Sequence, residues 1–328
     1  MYQKKKLIFI FIGLLIFYYL YNYYSLRYRY TKYVKNSVAT LSQDHNFIEI
    51  VQGSQNVESE STIVSIFYYL SKSKHSNNDY EIWIMNFLKS VTSPLVLYTD
   101  DNFYKKFSPI MKELNINVTF YVSKNEWDCL KLIEKKRNKK YIENYMTHQF
   151  LLDPEKSIHS PSLYALWNSK IFLTNSVAEL NPYKSKLFIY SDIGAWRDGV
   201  HNDWPHKSFV EILIKKIGNN ILFGQINDEK GLYHDLIEGG FFAGTSEALK
   251  ILTESFYNLH DLMIEKGEFI GKDQTMMNKL AFSLIKDKVI RLRTWDLECD
   301  SHYDKWFFYQ IYLSKIYSCK NDRLSILM

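Results

Sequence analysis

The stretch KLFIYSDIGAWRDG, residues 186–199, places a carboxylate at the end of an apolar run. Leu187 to Tyr190 have the character of a buried strand, and Ser191, Asp192, Ile193 and Gly194 follow directly. A buried strand normally leaves its sheet through neutral turn residues, whereas an acid at a strand's carboxyl end is a common ligand or metal position in α/β proteins. Asp192 is therefore the first candidate for a functional residue.

Strand-like and helix-like patterns alternate on both sides of this stretch. Residues 62–69 and 94–99 are predicted strands around a predicted helix over 80–91, which makes a βαβ unit. Further patterns predict strands over 117–122, 187–190 and 221–226 and helices over 162–178 and 246–262. This alternation indicates an α/β fold with a Rossmann-like, mostly parallel sheet flanked by helices. Ligands then belong at the carboxyl ends of the strands, where Asp100 and Asp192 both lie.

The composition is that of a globular protein. A chain of 328 residues with 46% hydrophobic content can form a sizeable core. The formal charge of +5 is modest, and the densest basic run, residues 134–140, lacks the interleaved aromatic residues of a nucleic-acid module. We therefore predict a solvated helix face there and no nucleic-acid partner.

The amino terminus carries a predicted membrane anchor. Three lysines precede an uncharged apolar segment that ends in several tyrosines, and the segment is long enough to span a bilayer. It lacks a small-residue cleavage site, which favours an uncleaved anchor over a signal peptide. We predict a cytosolic tail over residues 1–6, a transmembrane signal anchor over 7–24, a stem over 25–61 and a catalytic domain over 62–328. This organisation predicts a single-pass type II membrane protein of the Golgi or endoplasmic reticulum with a lumenal catalytic domain.

Two weaker signals are consistent with a secretory lumen. Asn117 begins an Asn-Val-Thr acceptor for N-glycosylation. Cys129, Cys299 and Cys319 allow one disulfide at most, and Cys299 with Cys319 is the favoured pair because both lie near the carboxyl terminus.

Several common enzyme motifs are missing from the sequence. No G-x-G-x-x-G follows a strand, and no G-x-x-x-x-G-K-[ST] is present, which disfavours dinucleotide oxidoreductases and P-loop nucleotidases. G-x-S-x-G and H-E-x-x-H are also absent, so hydrolases of those two types lack support.

Four stretches in a fixed order carry a resemblance to a known family. They are TIVSIFYYL with PLVLYTDD, SLYALWNSKIFLTNSVAELNPYKSKLFIYSDIGAWRD, EGGFFAGTSEAL, and GEFIGKDQTMMNKL. Together, over residues 62–295, they resemble the WlaTC/HtrL family of glycosyltransferases. The resemblance implies a GT-A fold, a nucleotide-sugar donor, a glycan, glycolipid or glycoprotein acceptor, and usually a divalent metal, Mn²⁺ or Mg²⁺, on an acidic motif.

The metal motif of this chain departs from the usual Asp-x-Asp. Asp192 is preceded by Tyr190 and Ser191, and Gly194 stands where a second acid would follow. Only the last acid of that motif must contact the metal, so the resemblance still implies Asp192 as a metal ligand. His302 is a second candidate ligand, against the alternative of a structural histidine. Such a cation would stabilise the charge that develops on the departing diphosphate.

The resemblance implies further roles in the four stretches. The candidates for donor contacts are Asp100, Asn168, Lys170, Asp192, Gly240 and Gln274. Glu238 and Asp273 are the candidates for the base that takes the acceptor proton. Alternatives remain open for several positions: a solvated helix lysine at 170, a turn acid at 238 and a helix cap at 273. Arg197 is placed either against phosphate or against Asp198.

A second class of function stays open from the sequence. The incomplete acidic motif is also consistent with a membrane-tethered carbohydrate-binding or scaffold protein of the same fold without turnover.

Overall fold

One mixed β-sheet organises the described part of the chain. The computed structural model describes residues 15–21, 24, 47–54, 57–228, 235–293, 295 and 304–314. Eight strands form the sheet, and most are runs of β-branched and aromatic residues, as expected for buried strands. They are β1 (Ile48–Gln52), β2 (Ser61–Phe67), β3 (Leu95–Asp100), β4 (Val118–Ser123), β5 (Leu187–Ser191), β6 (Ile221–Gln225), β7 (Ile237–Gly244) and β8 (Val289–Arg293).

The strand order across the sheet is β1-β4-β3-β2-β5-β7-β6-β8. Parallel pairing joins β2 to β3, β3 to β4, β2 to β5 and β6 to β8. The pairs β1–β4, β5–β7 and β6–β7 are antiparallel. Four of the seven described pairings are parallel, so the sheet is mixed and the prediction of a mostly parallel one holds only in part. The connection from Gln225 to Ile237 is too short for a crossover helix, so β7 returns antiparallel beside β6.

The order of the strands reverses next to β2. From β2 the chain moves outward to β3 and β4, and it then returns to the other side of β2 with β5. Because β2 and β5 are parallel, their carboxyl ends lie at the same edge of the sheet. Such a reversal creates a crevice outside the strand ends, which is the usual ligand position in open α/β sheets.

Eight helices of six or more residues cover the sheet in the described ranges. They are α1 (Asn77–Ser90), α2 (Asp101–Glu113), α3 (Trp127–Arg137), α4 (Pro161–Leu180), α5 (Lys207–Ile217), α6 (Ser246–Glu265), α7 (Asp273–Lys279) and α8 (Phe308–Leu313). Shorter helical segments occupy Ile142–Asn144, Tyr145–Gln149, Phe150–Leu152, Ile193–Ala195, Leu280–Leu284, Lys286–Lys288 and Lys305–Phe307.

Local signals set the helix ends. Ser76 and Asp79 form a reciprocal capping box that starts α1. Pro161 occupies the first turn of α4, where its missing N–H costs no hydrogen bond, and Asn181 ends that helix in the left-handed conformation with φ 44°.

The strands bury side chains on both faces. In β2, Ile63 and Phe67 belong to one apolar cluster, which includes residues of α1, α2, α5 and α8. Val64 and Ile66 belong to the opposite cluster, with residues of α3, α4, α6 and α7. This alternation follows from the two-residue period of a strand and produces a three-layer arrangement.

Part of the predicted stem forms a strand of the sheet. Residues 48–52 belong to the predicted stem of 25–61, yet they form β1 and pair with β4 through Ile48 and Val122 at one end. This strand was not predicted because it is short and its apolar residues are surrounded by polar sequence.

Some predictions fall mainly outside the described residues. Within the described ranges, no helix has the length and apolar character needed to cross a membrane. Of the predicted anchor over 7–24, only residues 15–21 and 24 are described, and these are helical. His302, Cys299 and Cys319 also lie outside the described residues. Cys129 is buried and forms no disulfide within them.

Candidate active site

A cleft of about 620 Å³ opens at the carboxyl ends of β2 and β5. Tyr68 and Tyr69 line it from the end of β2, and Asp192 lines it directly after β5. The start of β7 lies at the same edge because β7 runs antiparallel to β5. Residues 238–240 of that strand and 273–274 of α7 complete this wall. Segments from all four stretches quoted above therefore meet at the strand reversal.

Asp192 is held at the strand end by backbone and side-chain contacts. Its N–H donates to the Gly240 carbonyl at 2.8 Å, which continues the pairing of β5 with β7. The Tyr190 hydroxyl donates to Oδ1 at 2.6 Å, and the Lys170 ammonium donates to Oδ2 at 3.2 Å. The side chain is still 36% exposed toward the cleft. It is the acid at the strand end that is both anchored and accessible.

Lys170 is a buried lysine of α4, and the alternative of a solvated helix lysine is wrong. Only 4% of the residue is exposed. Its Nζ donates to the Gly239 carbonyl at 2.9 Å and lies 3.3 Å from Asp273 Oδ2, in addition to its contact with Asp192. Burial by itself would lower the pKa of Lys170, but the charges of Asp192, Asp273 and Glu238 outweigh it and raise that pKa.

Glu238 is a buried acid within β7, so the alternative of an exposed acid in a tight turn is wrong. Its Oε1 accepts the Gly240 N–H at 2.7 Å, while Oε2 is buried and has no hydrogen-bond partner in the described structure. Burial, and then the neighbouring Asp192 charge, raise the pKa of Glu238 well above its usual range. A carboxyl with a raised pKa and an uncommitted oxygen is suited to proton transfer.

Asp273 and Gln274 begin α7 and connect it to β7. Asp273 Oδ1 accepts the Gln274 N–H at 2.9 Å, and its other oxygen faces Lys170. Burial raises the pKa of Asp273 even though Lys170 opposes the shift. The Gln274 amide donates to the Ile237 carbonyl at 2.8 Å. Both residues line the cleft, but their described contacts are with the protein itself.

Gly239 and Gly240 allow these side chains to pack against the backbone of β7. A Cβ at Gly240 would lie 2.6 Å from Glu238 Oε1 and 2.8 Å from Asp192 Oδ2. A Cβ at Gly239 would lie 2.7 Å from Gln274 Cγ. Gly240 was predicted as a donor contact, whereas the space at these two glycines is filled by the carboxylates and amide of the site itself.

Two of the predicted donor contacts lie outside the cleft wall. Asp100 caps α2 by accepting the Phe103 N–H at 2.9 Å and also accepts the Tyr69 N–H at 3.0 Å. Asn168 is fully buried and donates to the carbonyls of Tyr164 and Ile270 at 3.1 and 3.0 Å. Both side chains support the walls of the cleft through contacts with the protein.

Arg197, which the sequence placed either against phosphate or against Asp198, lines the cleft, and its guanidinium lies over the rings of Trp83 and Phe307, at 4.5 and 5.1 Å from their centroids. His159 lines the cleft and was not predicted from the sequence. Asp153 is buried and contacts His159 Nδ1 at 3.0 Å, which fixes that ring at the rim. One further residue could have been found: Tyr190 lies on the same face of β5 as Asp192 because side chains two apart in a strand share a face.

The predicted divalent metal does not fit the described side chains as they stand. Asp192 was expected to bind it, but Tyr190 and Lys170 engage both of its oxygens. In the ranges that the structure describes, no group of three or more His, Cys, Asp or Glu side chains is arranged to hold a metal ion. The cation beside Asp192 is instead the ammonium of Lys170.

The chain matches no family model, and no curated protein matches it. Among solved structures, it is similar to the apo form of mouse xyloside xylosyltransferase 1, with 12% identity over 70% of this chain and 83% of that chain and a TM-score of 0.40. It is also similar to a protein described as a nucleotide-diphospho-sugar transferase from Desulfovibrio desulfuricans G20. That match has 10% identity over 72% of this chain and 80% of that chain and a TM-score of 0.34. Likenesses at this level establish neither a family nor an activity, and the WlaTC/HtrL family stays a prediction.

Proposed function

We propose that the chain is a glycosyltransferase that moves a sugar from a nucleotide-sugar donor to an acceptor hydroxyl. One observation carries the proposal: the cleft lies at the strand reversal between β2 and β5, and Asp192 is an accessible carboxylate at the end of one of these two strands. The four stretches that resemble a glycosyltransferase family contribute to its walls. The sequence resemblance and the strand reversal thus point to the same edge of the sheet.

The dimensions and lining of the cleft suit a nucleotide sugar. Its volume of about 620 Å³ lies within the usual range of small-molecule sites. Aromatic side chains provide faces on which a base or a sugar ring can stack: Tyr69, Tyr80, Trp167, Trp306 and Phe307.

Cationic side chains along the same wall suit the diphosphate of the donor. Lys74, Arg197 and Lys272 line the cleft. The guanidinium of Arg197 lies over the rings of Trp83 and Phe307, and Lys272 pairs with Asp235 at 2.9 Å. Pre-positioned positive charge stabilises the leaving diphosphate, which gains negative charge as its bond to the sugar breaks.

Glu238 is the better candidate for the base. In a direct displacement, the acceptor oxygen forms the new bond to the sugar carbon, the electrons of the broken bond go to the diphosphate, and the hydroxyl proton goes to a carboxylate. Glu238 Oε2 and Asp273 Oδ2 both lack a hydrogen-bond partner in the described structure, but Asp273 Oδ2 lies 3.3 Å from the Lys170 ammonium, whose charge makes it a weaker base. Asp273 is the second candidate, and Asp192 is placed to accept hydrogen bonds from sugar hydroxyls.

The proposal includes a location. Residues 7–24 would anchor the chain as a type II membrane protein of the Golgi or endoplasmic reticulum, and the sheet domain would be lumenal. The apolar segment and the Asn117 acceptor support this arrangement. The acceptor would then be a glycan, glycolipid or glycoprotein of the secretory pathway.

A donor screen tests the proposal. Full-length protein in detergent is incubated with a panel of nucleotide sugars, with and without simple glycan acceptors, and nucleoside diphosphate release is measured. We expect release from at least one donor, and we expect Asp192→Asn to abolish most of it. Glycan binding without release from any donor would instead support the carbohydrate-binding or scaffold function.

A further inference from the structure

The positive charge beside Asp192 is supplied by a lysine side chain of the protein, Lys170. Lys170 extends from α4, a helix of 20 residues, into the wall of the cleft. Its ammonium has three N–H donors, and three oxygen atoms surround it: Gly239 O at 2.9 Å, Asp192 Oδ2 at 3.2 Å and Asp273 Oδ2 at 3.3 Å. The ammonium therefore has the oxygen environment that a bound cation would have.

This arrangement opposes a second cation at the same carboxylates. A divalent ion that bound Asp192 Oδ2 would lie within a few ångströms of the buried ammonium, where water screens the repulsion poorly. The sequence lacks the acid that would strengthen such a site, because Gly194 occupies that position and packs against Tyr80. The geometry and the sequence thus agree.

We infer that Lys170 is the resident cation of this site and that the cleft binds a nucleotide-sugar donor without a divalent metal. That the cleft binds a nucleotide-sugar donor rests on the proposed function. Whether Asp192 binds a metal ion can be measured without any donor. The inference replaces the metal that the family resemblance implied.

If Lys170 takes the place of a metal ion, its removal should create a metal site at the acids that surround it. Removing the ammonium leaves Asp192 Oδ2 and Asp273 Oδ2, which lie 3.2 and 3.3 Å from it, without their shared positive partner. Two carboxylate oxygens that face one small space, with water completing the shell, are suitable ligands for Mn²⁺. Lys170→Ala should therefore acquire a metal site that the wild-type chain lacks.

The experiment measures Mn²⁺ alone. Full-length protein in detergent is titrated with Mn²⁺, and free Mn²⁺ is followed by its electron paramagnetic resonance signal. The result of interest is the Mn²⁺ binding that is lost when Asp192→Asn is added to the wild type or to a Lys170 variant. We expect none in the wild type and none in Lys170→Arg, which keeps the charge. Lys170→Ala should bind Mn²⁺ through Asp192 with an affinity at least about tenfold above the detection limit of the wild-type titration.

Two controls make the result decisive. Lys131→Ala removes another largely buried lysine, which pairs with Asp128 at 2.8 Å away from the cleft, and it should not create a metal site. Lys170→Met preserves most of the side-chain volume if the alanine variant does not fold, and circular dichroism checks each variant. Stoichiometric wild-type Mn²⁺ binding that Asp192→Asn abolishes would overturn the inference, and this arm needs no Lys170 variant.

That outcome would leave the proposed function intact. A wild-type metal site lost in His302→Ala would show that the histidine supplies the missing ligand, as the resemblance implied. Failure of the donor screen, by contrast, would remove the proposed transfer reaction without changing the Mn²⁺ result.

Discussion

Asp100 and Asp192 each stand at the carboxyl end of a parallel strand, β3 and β5, yet only Asp192 lines the cleft. Two backbone N–H groups, of Tyr69 and Phe103, occupy the oxygens of Asp100. Asp192 is held by two side chains, Tyr190 and Lys170, and remains partly exposed. One acid ends a strand by starting a helix, and the other ends a strand at an open crevice.

The position of the strand explains this difference. The chain continues from β3 through α2 to the adjacent β4, so the backbone of α2 covers the end of β3. Between β2 and β5 the order reverses, and β5 is followed only by the short helical segment Ile193–Ala195, which the Asp192 side chain does not cap, while α5 begins at Lys207. An acid at a strand end is therefore informative when its strand borders the reversal, and the sequence pattern alone does not contain that information.

Glu238 is a third acid for this comparison, and it lies on β7, which runs antiparallel to β5. Its substitution should have the largest effect on turnover. Glu238→Gln keeps the shape of the side chain and its acceptor for the Gly240 N–H but removes the basic oxygen. We expect turnover to fall by about a hundredfold or more, since general-base catalysis typically contributes that much. Steady-state kinetics with the best donor of the screen measures this.

Glu155, which also lines the cleft but is exposed at its rim, is the matched control. Glu155→Gln should retain nearly full activity. Equal turnover in Glu238→Gln and in the wild type would remove Glu238 from the mechanism and leave Asp273 to be tested as the base.

Asp192→Asn should lower kcat/KM by on the order of a hundredfold, as when one pre-positioned polar group of an active site is lost. The amide keeps the size of the side chain but removes the charge that pairs with Lys170. Asp287→Asn, the same change on an exposed turn, is the control and should have no kinetic effect. Unchanged kinetics in Asp192→Asn would make Asp192 a structural residue like Asp100.

Asp100→Ala should affect stability and not catalysis. The loss of a helix cap typically lowers the free energy of unfolding by about 1 kcal/mol, and here the Tyr69 N–H also loses its partner. Asp101→Ala, one residue later, removes an exposed ion pair with Lys105 and should cost less. Urea unfolding and kinetics of both variants test this, and a kinetic defect in Asp100→Ala with normal stability would restore Asp100 to the site.

Much of the fold followed from hydrophobic pattern. The predicted strand over 94–99 corresponds to β3, and the helix over 162–178 corresponds to α4, Pro161–Leu180. In contrast, β7 was missed because Glu238, Gly239 and Gly240 are typical of a turn. They form a strand because β5 and β6 pair with the backbone on both sides, which is a tertiary effect.

The candidate site was predicted in part for a similar reason. Asp192, Lys170, Glu238, Asp273, Gly240 and Gln274 do meet at the cleft. The burial of Lys170 was not predictable, because a lysine of a helix is usually exposed and only the three facing acids explain its position. For Asn168 the prediction and the structure differ: the family resemblance implied a donor contact, yet its amide donates to the backbone carbonyls of Tyr164 and Ile270.

The smallest expected effect is a change in the free energy of unfolding of Glu238→Gln. A more stable variant at neutral pH indicates a buried acid that does not stabilise the fold, and a less stable variant indicates a structural role like that of Asp100. Burial raises the pKa of Glu238 in the folded state, above an unfolded value of about 4.3. Below that pH both states hold the proton, and the variant should be as stable as the wild type. At higher pH the unfolded state releases its proton first, so the wild type loses stability as the pH rises toward the folded pKa.

The glutamine variant should therefore be more stable at neutral pH, by about 0.5–1 kcal/mol, the usual size of a stabilising substitution. Melting temperatures from pH 3.5 to 8 test this, and a variant that is less stable at pH 7 than at pH 4, relative to the wild type, would show that the Glu238 carboxylate stabilises the fold as Asp100 does.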